Sequence, residues 1–314
     1  MTVMSDWPNS YVRELHASVS TPPELLASLV RRATGDDLDH VDRIVEGYDN
    51  EVYRVRTRSA QLVFVRIKRF GGDLNSARDE ARTIERARGV GVPGPEVLLL
   101  DQVRIQDGEF PVMVQRAVPG LPLAEVYQAL TASQRRRALT GLGQLIARMN
   151  RLWVTTDWRR GFRADVANRR RAREAVLSAG FTATEFDTMI TGLDAYVDHC
   201  PAGGSALCHG DLGPRHIFLD PDASICGVID FGDAHPAALL HDLAVLRVRG
   251  AGLDLAPVLI GYGAPDDPDF RRRLDLHTLL ISLASLGIGV DENDESCIVR
   301  ETARIRSLLR SLGG

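Results

Sequence analysis

Two short polar segments in the second half of the chain carry residue types that can act on phosphates. The first is His209-Gly210-Asp211-Leu212-Gly213-Pro214-Arg215-His216, and the second is Asp230-Phe231-Gly232. A carboxylate on a short loop can accept the proton of a hydroxyl while that oxygen attacks a phosphoryl group. A second carboxylate, at the end of a strand, can hold Mg²⁺ on nucleotide phosphates. The pair predicts Asp211 as a base and Asp230 as a metal ligand.

The spacing of the two segments favours a functional site over a chance turn, because Asp230 follows Asp211 by 19 residues with an apolar strand-like run between them. His216 stands where a second metal-holding residue is expected, although oxygen ligands suit Mg²⁺ better than imidazole. For Arg215, contact with phosphate oxygens and exposure to solvent are equally open. His209 is expected to brace the loop, and Asp242 to anchor the helix behind it.

The spacing of apolar residues along the chain changes near residue 120. Runs rich in Val, Ile and Leu predict short strands at residues 52–57, 62–68, 97–100 and 111–115. A helix over residues 76–88, with Asn75 as its N-cap, interrupts them. After Leu121, apolar residues recur at helical spacing. The sequence predicts an α+β chain with a strand-rich lobe at residues 1–116, a hinge near 115–120 and a helix-rich lobe at 117–314.

The first lobe is expected to supply the groups that hold a nucleotide. Gly47 and Asn50 bound a turn between two strand-like segments and are candidates for covering phosphates. Arg66 and Lys68 share one face of a strand because strand side chains alternate. A cation there can pair with phosphates and with a helix carboxylate, for which Glu80 is the first candidate.

Composition excludes several classes of partner. The net charge of -4 gives no basic surface for nucleic acid. The longest apolar run, residues 279–290, is shorter than the roughly 20 residues that span a bilayer. The four cysteines lack metal-binding spacing and indicate reduced thiols in a cytoplasmic protein. We expect no nucleic-acid or membrane partner, and a monomer.

These segments resemble the aminoglycoside phosphotransferase family, which shares the protein-kinase fold. The resemblance covers about residues 45–248 and is strongest in LCHGDLGPRHIFLD (207–220) and GVIDFGDAHPAALLHDLA (227–244). It implies a two-lobed fold with a small antiparallel sheet, one helix in that lobe and a larger helical lobe. It also implies Mg²⁺-dependent transfer of the γ-phosphoryl group of ATP or GTP to a hydroxyl of a small molecule, an antibiotic above all.

The resemblance assigns roles residue by residue. It implies that Asp211 is the base and that Asp230 holds Mg²⁺. It also implies that Glu80 is the helix carboxylate that pairs with the cation on the strand. His216 replaces the usual Asn, as in macrolide 2'-phosphotransferases and aminoglycoside 2''-phosphotransferases, so the sequence leans toward those branches. The hinge, from Gln115 to Ala117, is expected to present backbone groups to the nucleotide base.

Two residues remain candidates for the cation on the strand. Lys68 is the sole lysine among 38 basic residues, which favours it on chemistry. The family register, counted back from Glu80, favours Arg66. Glu85 is the second candidate for the partner carboxylate.

Other functions stay open at this stage. A kinase of another metabolite fits the same motifs. Four histidines near the two segments (His209, His216, His235 and His241) also suggest a metal-dependent hydrolase. The acidic run 291–295 can attract a polycationic acceptor or be a solvated loop. The basic segment 158–174 keeps a neutral or anionic acceptor open.

Overall fold

The structure, a computed structural model, describes residues 10–106, 108–200 and 203–312. The chain divides into two units. The first runs to Gly89 and continues over Pro93–Pro119 and Cys226–Gly232, and the second contains Val90–Val92, Gly120–Ile225 and the chain from Asp233 onward. The division after Pro119 falls within the predicted hinge. Asp230 belongs to the first unit, which a simple split at residue 116 does not anticipate.

A five-stranded antiparallel sheet of order β1-β2-β3-β5-β4 forms most of the first unit. Its strands are β1 (Leu38–Ile44), β2 (Asn50–Thr57), β3 (Leu62–Lys68), β4 (Val97–Ile105) and β5 (Gly108–Arg116). Its helices are α1 (Ser10–Ala17), α2 (Pro23–Thr34) and α3 (Leu74–Gly89). Because β3 side chains alternate, Val63, Val65 and Ile67 are buried in a core shared with α2. Arg66 and Lys68 therefore lie on the opposite face.

Helix α3 begins earlier than predicted. Its first residue is Leu74, and the carboxylate of Asp73 accepts the Ser76 N–H at 2.9 Å. Asp73, and not Asn75, is thus the capping side chain, because it satisfies an N–H that the first turn leaves unpaired. Glu80 lies on the buried side of the helix with Ala77, Ile84 and Ala87.

Several elements of the first unit were predicted incompletely. Strand β1 was expected only as a strand-like segment before Gly47, without bounds, because its sequence LDHVDRI is charged and its residues are only partly buried or exposed. Helix α1 was not predicted. Strands β4 and β5 pair with each other over their full length, so both extend beyond the short apolar runs that indicated them.

The second unit is mainly helical. Its helices are α4 (Leu123–Val126), α5 (Ala132–Met149), α6 (Trp158–Arg171), α7 (Arg173–Ser178), α8 (Ala183–His199), α9 (His241–Arg249), α10 (Leu255–Tyr262), α11 (Pro268–Asp291) and α12 (Glu295–Leu312). Its short strands are β6 (Leu121–Pro122), β7 (Trp153–Asp157), β8 (Gly204–Cys208), β9 (Ile217–Leu219) and β11 (His235–Ala237). Strand β6 pairs with β9, and β8 lies between β7 and β11. Strand β10 (Ile225–Val228) spans the division between the units and leads to Asp230.

Among the described residues, helix α11 alone is long and apolar enough to cross a membrane, judged by length and composition. Its most apolar window has a mean hydropathy of 1.4, and 67% of that window is buried inside the protein. Leu279 and Leu283 belong to the second unit's hydrophobic core. The apolar run 279–290 is thus the C-terminal half of a longer core helix, and its burial accounts for its composition.

Candidate active site

In the first unit, two carboxylates from separate elements of the chain contact Arg66. Arg66 on β3 forms an ion pair through Nη1 with Glu80 on α3, and Nη2 donates to Asp230 Oδ1 at 3.0 Å. The Arg66 side chain is 12% exposed and that of Glu80 is 7% exposed. Burial opposes the charge on Arg66, but Glu80 and Asp230 outweigh it and raise the pKa of Arg66. The site therefore keeps a fixed, charged guanidinium.

Asp230 is presented by an unusual backbone conformation. Its φ is +67°, in the left-handed region that few residues other than glycine adopt and that Asp tolerates better than most. Its side chain is 46% exposed. The next residue, Phe231, is buried, and a Cβ added to Gly94 would lie 3.6 Å from its ring. Phe231 thus anchors the segment while the carboxylate of Asp230 reaches solvent.

Lys68 lies apart from this cluster. A Cβ added to Gly72, which has a φ of +74°, would lie 2.6 Å from Lys68 Cε and 3.0 Å from Nζ. The lysine therefore ends beside the turn before α3. The structure pairs Arg66, and not Lys68, with Glu80, as the family register indicated. Glu85, the second candidate for the carboxylate, is exposed.

The same face of the sheet carries the residues predicted to cover phosphates. Gly47 has a φ of +80° in the turn between β1 and β2, and its carbonyl accepts a hydrogen bond from His16 Nε2 at 3.0 Å. Asn50 begins β2 and pairs with Lys68. One cavity of the first unit is lined by Asn50, Arg66, Lys68, Ala77, Glu80, Pro111, Val112 and Met113. Both candidate cations therefore line one cavity.

The predicted hinge residues have their backbone groups partly engaged. Gln115, in β5, pairs with Phe64 on one side and Val97 on the other. The N–H of Ala117 donates to the carbonyl of Leu62 at 2.9 Å. The pairing with β3 thus continues past the end of β5 and engages the N–H of Ala117. That the segment from Gln115 to Ala117 presents backbone groups to the nucleotide base stays a prediction.

In the second unit, Asp211 lies between two basic side chains. Its Oδ1 is 3.0 Å from Nε of Arg249, the last residue of α9, and its Oδ2 is 3.7 Å from Nδ1 of His216. His216 Nδ1 also lies 2.7 Å from the carbonyl oxygen of Asp211. A carbonyl oxygen only accepts, so Nδ1 carries a proton and the lone pair of the neutral ring is on Nε2. Of the two ring nitrogens of His216, Nε2 is therefore the one that could accept a metal ion.

Asp242, on the first turn of α9, holds the loop that carries Asp211. The buried carboxylate accepts the N–H groups of His209 and Gly210 at 2.9 and 3.0 Å. Burial raises the pKa of Asp242, against the opposing effects of His209 and of these N–H groups. Gly210 has a φ of +85°, and a Cβ there would lie 2.1 Å from the Asp233 carbonyl oxygen. Only glycine fits this position.

Arg249 is a site residue that the sequence reasoning missed. It lies seven residues after Asp242, which is two turns along the same helix, so the two share one face of α9. That face of α9 was the available signal, because Asp242 had already been placed behind the loop. His209 is buried and braces the loop as predicted, whereas Arg215 is exposed on it.

The alternative of a metal-dependent hydrolase depended on a cluster of histidines that could hold a metal ion. Among the described residues, no group of three or more His, Cys, Asp or Glu side chains is arranged to hold a metal ion. His235 and His241 contact each other edge to face, with ring centroids 4.8 Å apart. Burial lowers the pKa of His241 to about 3. These two rings therefore pack within the second unit.

The sequence profile of the APH family, described as a phosphotransferase enzyme family, matches residues 40–275, well over half of the chain. The chain belongs to this family. This phosphotransferase is thus the kind of enzyme that the two polar segments predicted. A search of curated proteins found no match.

Solved structures similar to this phosphotransferase share its fold. The GDP complex of wild-type aminoglycoside 2'-phosphotransferase-IIIa is 18% identical, with a TM-score of 0.66, and the match covers 92% of this chain and 98% of that one. Macrolide 2'-phosphotransferase from Brachybacterium faecium is 19% identical, with a TM-score of 0.59, covering 90% and 98%. A mutant of aminoglycoside phosphotransferase APH(4)-Ia, in a ternary complex with AMP-PNP and hygromycin B, is 15% identical, with a TM-score of 0.66, covering 92% and 99%. The predicted two-lobed α+β fold is confirmed, and both branches that His216 favoured are among the similar structures.

Proposed function

We propose that this phosphotransferase moves the γ-phosphoryl group of ATP or GTP to a hydroxyl of a small molecule. The acceptor class we propose is an antibiotic, an aminoglycoside or macrolide in the first instance, so that the activity confers resistance. The observation that carries the proposal is Asp211, a partly exposed carboxylate on a loop that the buried Asp242 fixes through two backbone N–H groups.

Asp211 would act as the base. The acceptor oxygen forms a bond to the γ-phosphorus while the bond from that phosphorus to the bridging oxygen breaks, releasing a nucleoside diphosphate. The hydroxyl proton passes to Asp211. One carboxylate oxygen faces Arg249 and the other faces His216, so the carboxylate is held in one orientation before the acceptor arrives. Such positioning is a large part of catalysis in phosphoryl transfer.

Arg66 would meet the nucleotide phosphates. Its charge is maintained by Glu80 and Asp230, and it lines the cavity of the first unit together with Lys68. A guanidinium can bind two phosphate oxygens at once, whereas an ammonium is a point charge. We therefore assign the main phosphate contact to Arg66 and a supporting one to Lys68.

Asp230 and His216 would hold the divalent cation. The exposed carboxylate of Asp230 supplies the oxygen ligand that Mg²⁺ prefers, and His216 supplies a less favoured nitrogen. When bound, the ion would neutralise charge on the phosphates.

The similar structures keep both donors and more than one acceptor in consideration. One contains GDP, and another contains AMP-PNP with hygromycin B. These ligands belong to those proteins, which are below 20% identical to this chain, so they support a nucleotide donor without choosing between ATP and GTP.

Mass spectrometry tests the proposal. The full chain is incubated with Mg²⁺ and either ATP or GTP, together with aminoglycosides, macrolides and other hydroxyl-bearing antibiotics. A product heavier by one phosphoryl group, absent with Asp211→Asn, identifies the reaction, the donor and the acceptor. If no antibiotic is modified although the nucleotide binds, the acceptor is another metabolite. If no nucleotide binds, the proposal is wrong.

A further inference from the structure

The most exposed charged group beside the base is Arg249. Its side chain is 53% exposed, and its Nε lies 3.0 Å from Asp211 Oδ1. This contact is an ion pair, and the guanidinium donates no hydrogen bond to any residue in the described parts of the chain. An arginine has five N–H donors in a planar fork. Here the Nε side of that fork faces the base, and its two terminal NH₂ groups have no hydrogen-bond acceptor among the described residues.

The loop is shaped to admit the stem of Arg249. A Cβ added to Gly213 would lie 3.3 Å from Arg249 Cβ and 3.9 Å from its Cγ. Any larger residue at position 213 would crowd the arginine, so the glycine lets the aliphatic stem pass close to the loop backbone. The position at the C-terminal end of α9 also favours a cation, because helix carbonyls there are unpaired.

The surroundings of Arg249 add positive charge. On α12, the fully buried carboxylate of Glu301 pairs with Arg304 and Arg300. Arg304 Nη2 donates to the carbonyl of Val248 at 3.1 Å, which ties α12 to the residue before Arg249. Arg300 remains 43% exposed. Of these three side chains, the guanidinium of Arg300 is thus the most exposed, while the carboxylate of Glu301 lies inside the protein.

The acidic run near α12 is only partly engaged within the protein. Its Asp294 accepts the N–H of Cys297 at 3.0 Å and the hydroxyl of Ser296 at 2.9 Å. Asp294 is thus occupied in starting α12. The other carboxylates of the run, which joins α11 to α12, include the exposed Asp291 and Glu295.

We infer that Arg249 binds an oxyanion, a carboxylate or phosphate, beside the acceptor's reacting hydroxyl. The inference rests on the proposed transfer reaction and narrows its acceptor class. An ammonium group next to the reacting hydroxyl would face Arg249 and be repelled. An acceptor oxyanion would instead receive two N–H bonds from the fork and place its hydroxyl toward Asp211. Polycationic aminoglycosides are then poor acceptors.

The test measures binding of inorganic phosphate to the full chain by calorimetry, with and without a non-hydrolysable analogue of ATP or GTP. Arg249→Ala and Arg249→Lys are compared with Arg300→Ala, a matched loss of one exposed guanidinium that does not contact Asp211. We expect phosphate to bind beside the bound analogue. We expect Arg249→Ala to weaken that binding about tenfold or more, from the loss of charge-assisted hydrogen bonds. Arg249→Lys should retain part of it, and Arg300→Ala nearly all.

A second measurement separates the acceptor oxyanion from the nucleotide's own phosphates. The affinity of the wild type for the analogue, measured with and without phosphate, should stay the same, because the two anions are expected to bind side by side. If phosphate competes with the analogue instead, Arg249 contacts the transferred phosphoryl group and the acceptor assignment is overturned. Absence of phosphate binding to the wild type, or equal loss in Arg249→Ala and Arg300→Ala, also overturns it. Failure of the analogue to bind counts against the proposed function, because the phosphate measurement without nucleotide still reports on Arg249.

Discussion

The two charged clusters of this phosphotransferase differ in how their charges are satisfied. In the first unit, Arg66 is 12% exposed and is paired with both Glu80 and Asp230. In the second unit, Asp211 is 24% exposed and Arg249 is 53% exposed, and within the described residues the arginine forms one ion pair. The arginine of the first cluster is therefore buried and paired twice, whereas the arginine of the second cluster is exposed and paired once.

This difference indicates two kinds of ligand. A buried arginine that is already paired is held in place before anything binds, which suits a partner whose chemistry is always the same, such as the phosphates of a nucleotide. An exposed arginine with unused donors can exchange its contacts when a ligand arrives. The second cluster therefore suits the variable partner, the acceptor. Each prediction below tests one side of this contrast.

The largest effect is expected from Asp211→Asn. The amide cannot accept the hydroxyl proton, so the turnover number should fall by about 10²- to 10⁴-fold. Nucleotide affinity should stay close to wild type, because the first unit keeps Arg66 and Asp230. Steady-state kinetics and calorimetry measure the two quantities. A variant with normal turnover would remove Asp211 from the role of base.

The next effect distinguishes Arg66 from Lys68. Arg66→Met leaves the buried Glu80 without its partner, and removing one member of a buried ion pair costs about 3–5 kcal/mol. Lys68→Met is the matched control on the same face of β3, and we expect it to cost less than about 1 kcal/mol. Urea unfolding of both variants gives the comparison. Equal costs would show that the first cluster is not the preorganised one.

Part of the first cluster could be predicted from the sequence, because strand alternation placed Arg66 and Lys68 on one face, and the resemblance to the family favoured Arg66 as the partner of Glu80. Asp211 and Asp230 were also found from local spacing. Arg249 was not, because its contact with Asp211 joins residues 38 positions apart and depends on how α9 packs behind the loop. The hydrogen bond from the Ala117 N–H to the Leu62 carbonyl was missed for a similar reason, because the neighbouring strand decides how far strand pairing extends beyond an apolar run.

The support beneath the second cluster is tested by Asp242→Asn. An amide places its NH₂ group against one of the two N–H donors of the loop, and one buried unsatisfied donor costs about 1–3 kcal/mol. Asp220→Asn is the control, because Asp220 also accepts two backbone N–H groups but does so in an exposed turn. Unfolding free energy and kcat/KM should both fall more for Asp242→Asn. Equal behaviour would mean that the loop does not depend on α9.

Acid should weaken this support through His241, the first residue of α9. Burial lowers its pKa to about 3, whereas an unfolded histidine titrates near 6.5. Below pH 6.5 the unfolded chain gains a proton that the folded chain refuses, so stability falls as pH drops toward 3. By pH 5 the cost is about 2 kcal/mol.

The variant His241→Gln isolates this contribution. Its unfolding free energy should change less between pH 7 and pH 5 than that of the wild type, by roughly the same 2 kcal/mol. Denaturant unfolding at the two pH values measures the difference. Identical pH dependence in both proteins would show that the folded chain accepts the proton on His241 without cost.

The smallest effect is expected from His216→Asn. The imidazole donates through Nδ1 to the carbonyl of Asp211, and an asparagine amide can donate in the same way while offering an oxygen ligand to Mg²⁺. Turnover should therefore change less than about tenfold, the lower limit typical when a side chain supporting a metal site is lost. His216→Ala, which removes both functions, is the comparison at saturating Mg²⁺. If Asn is as damaging as Ala in a folded protein, the imidazole acts on Asp211 itself. The second cluster would then be as tightly specified as the first.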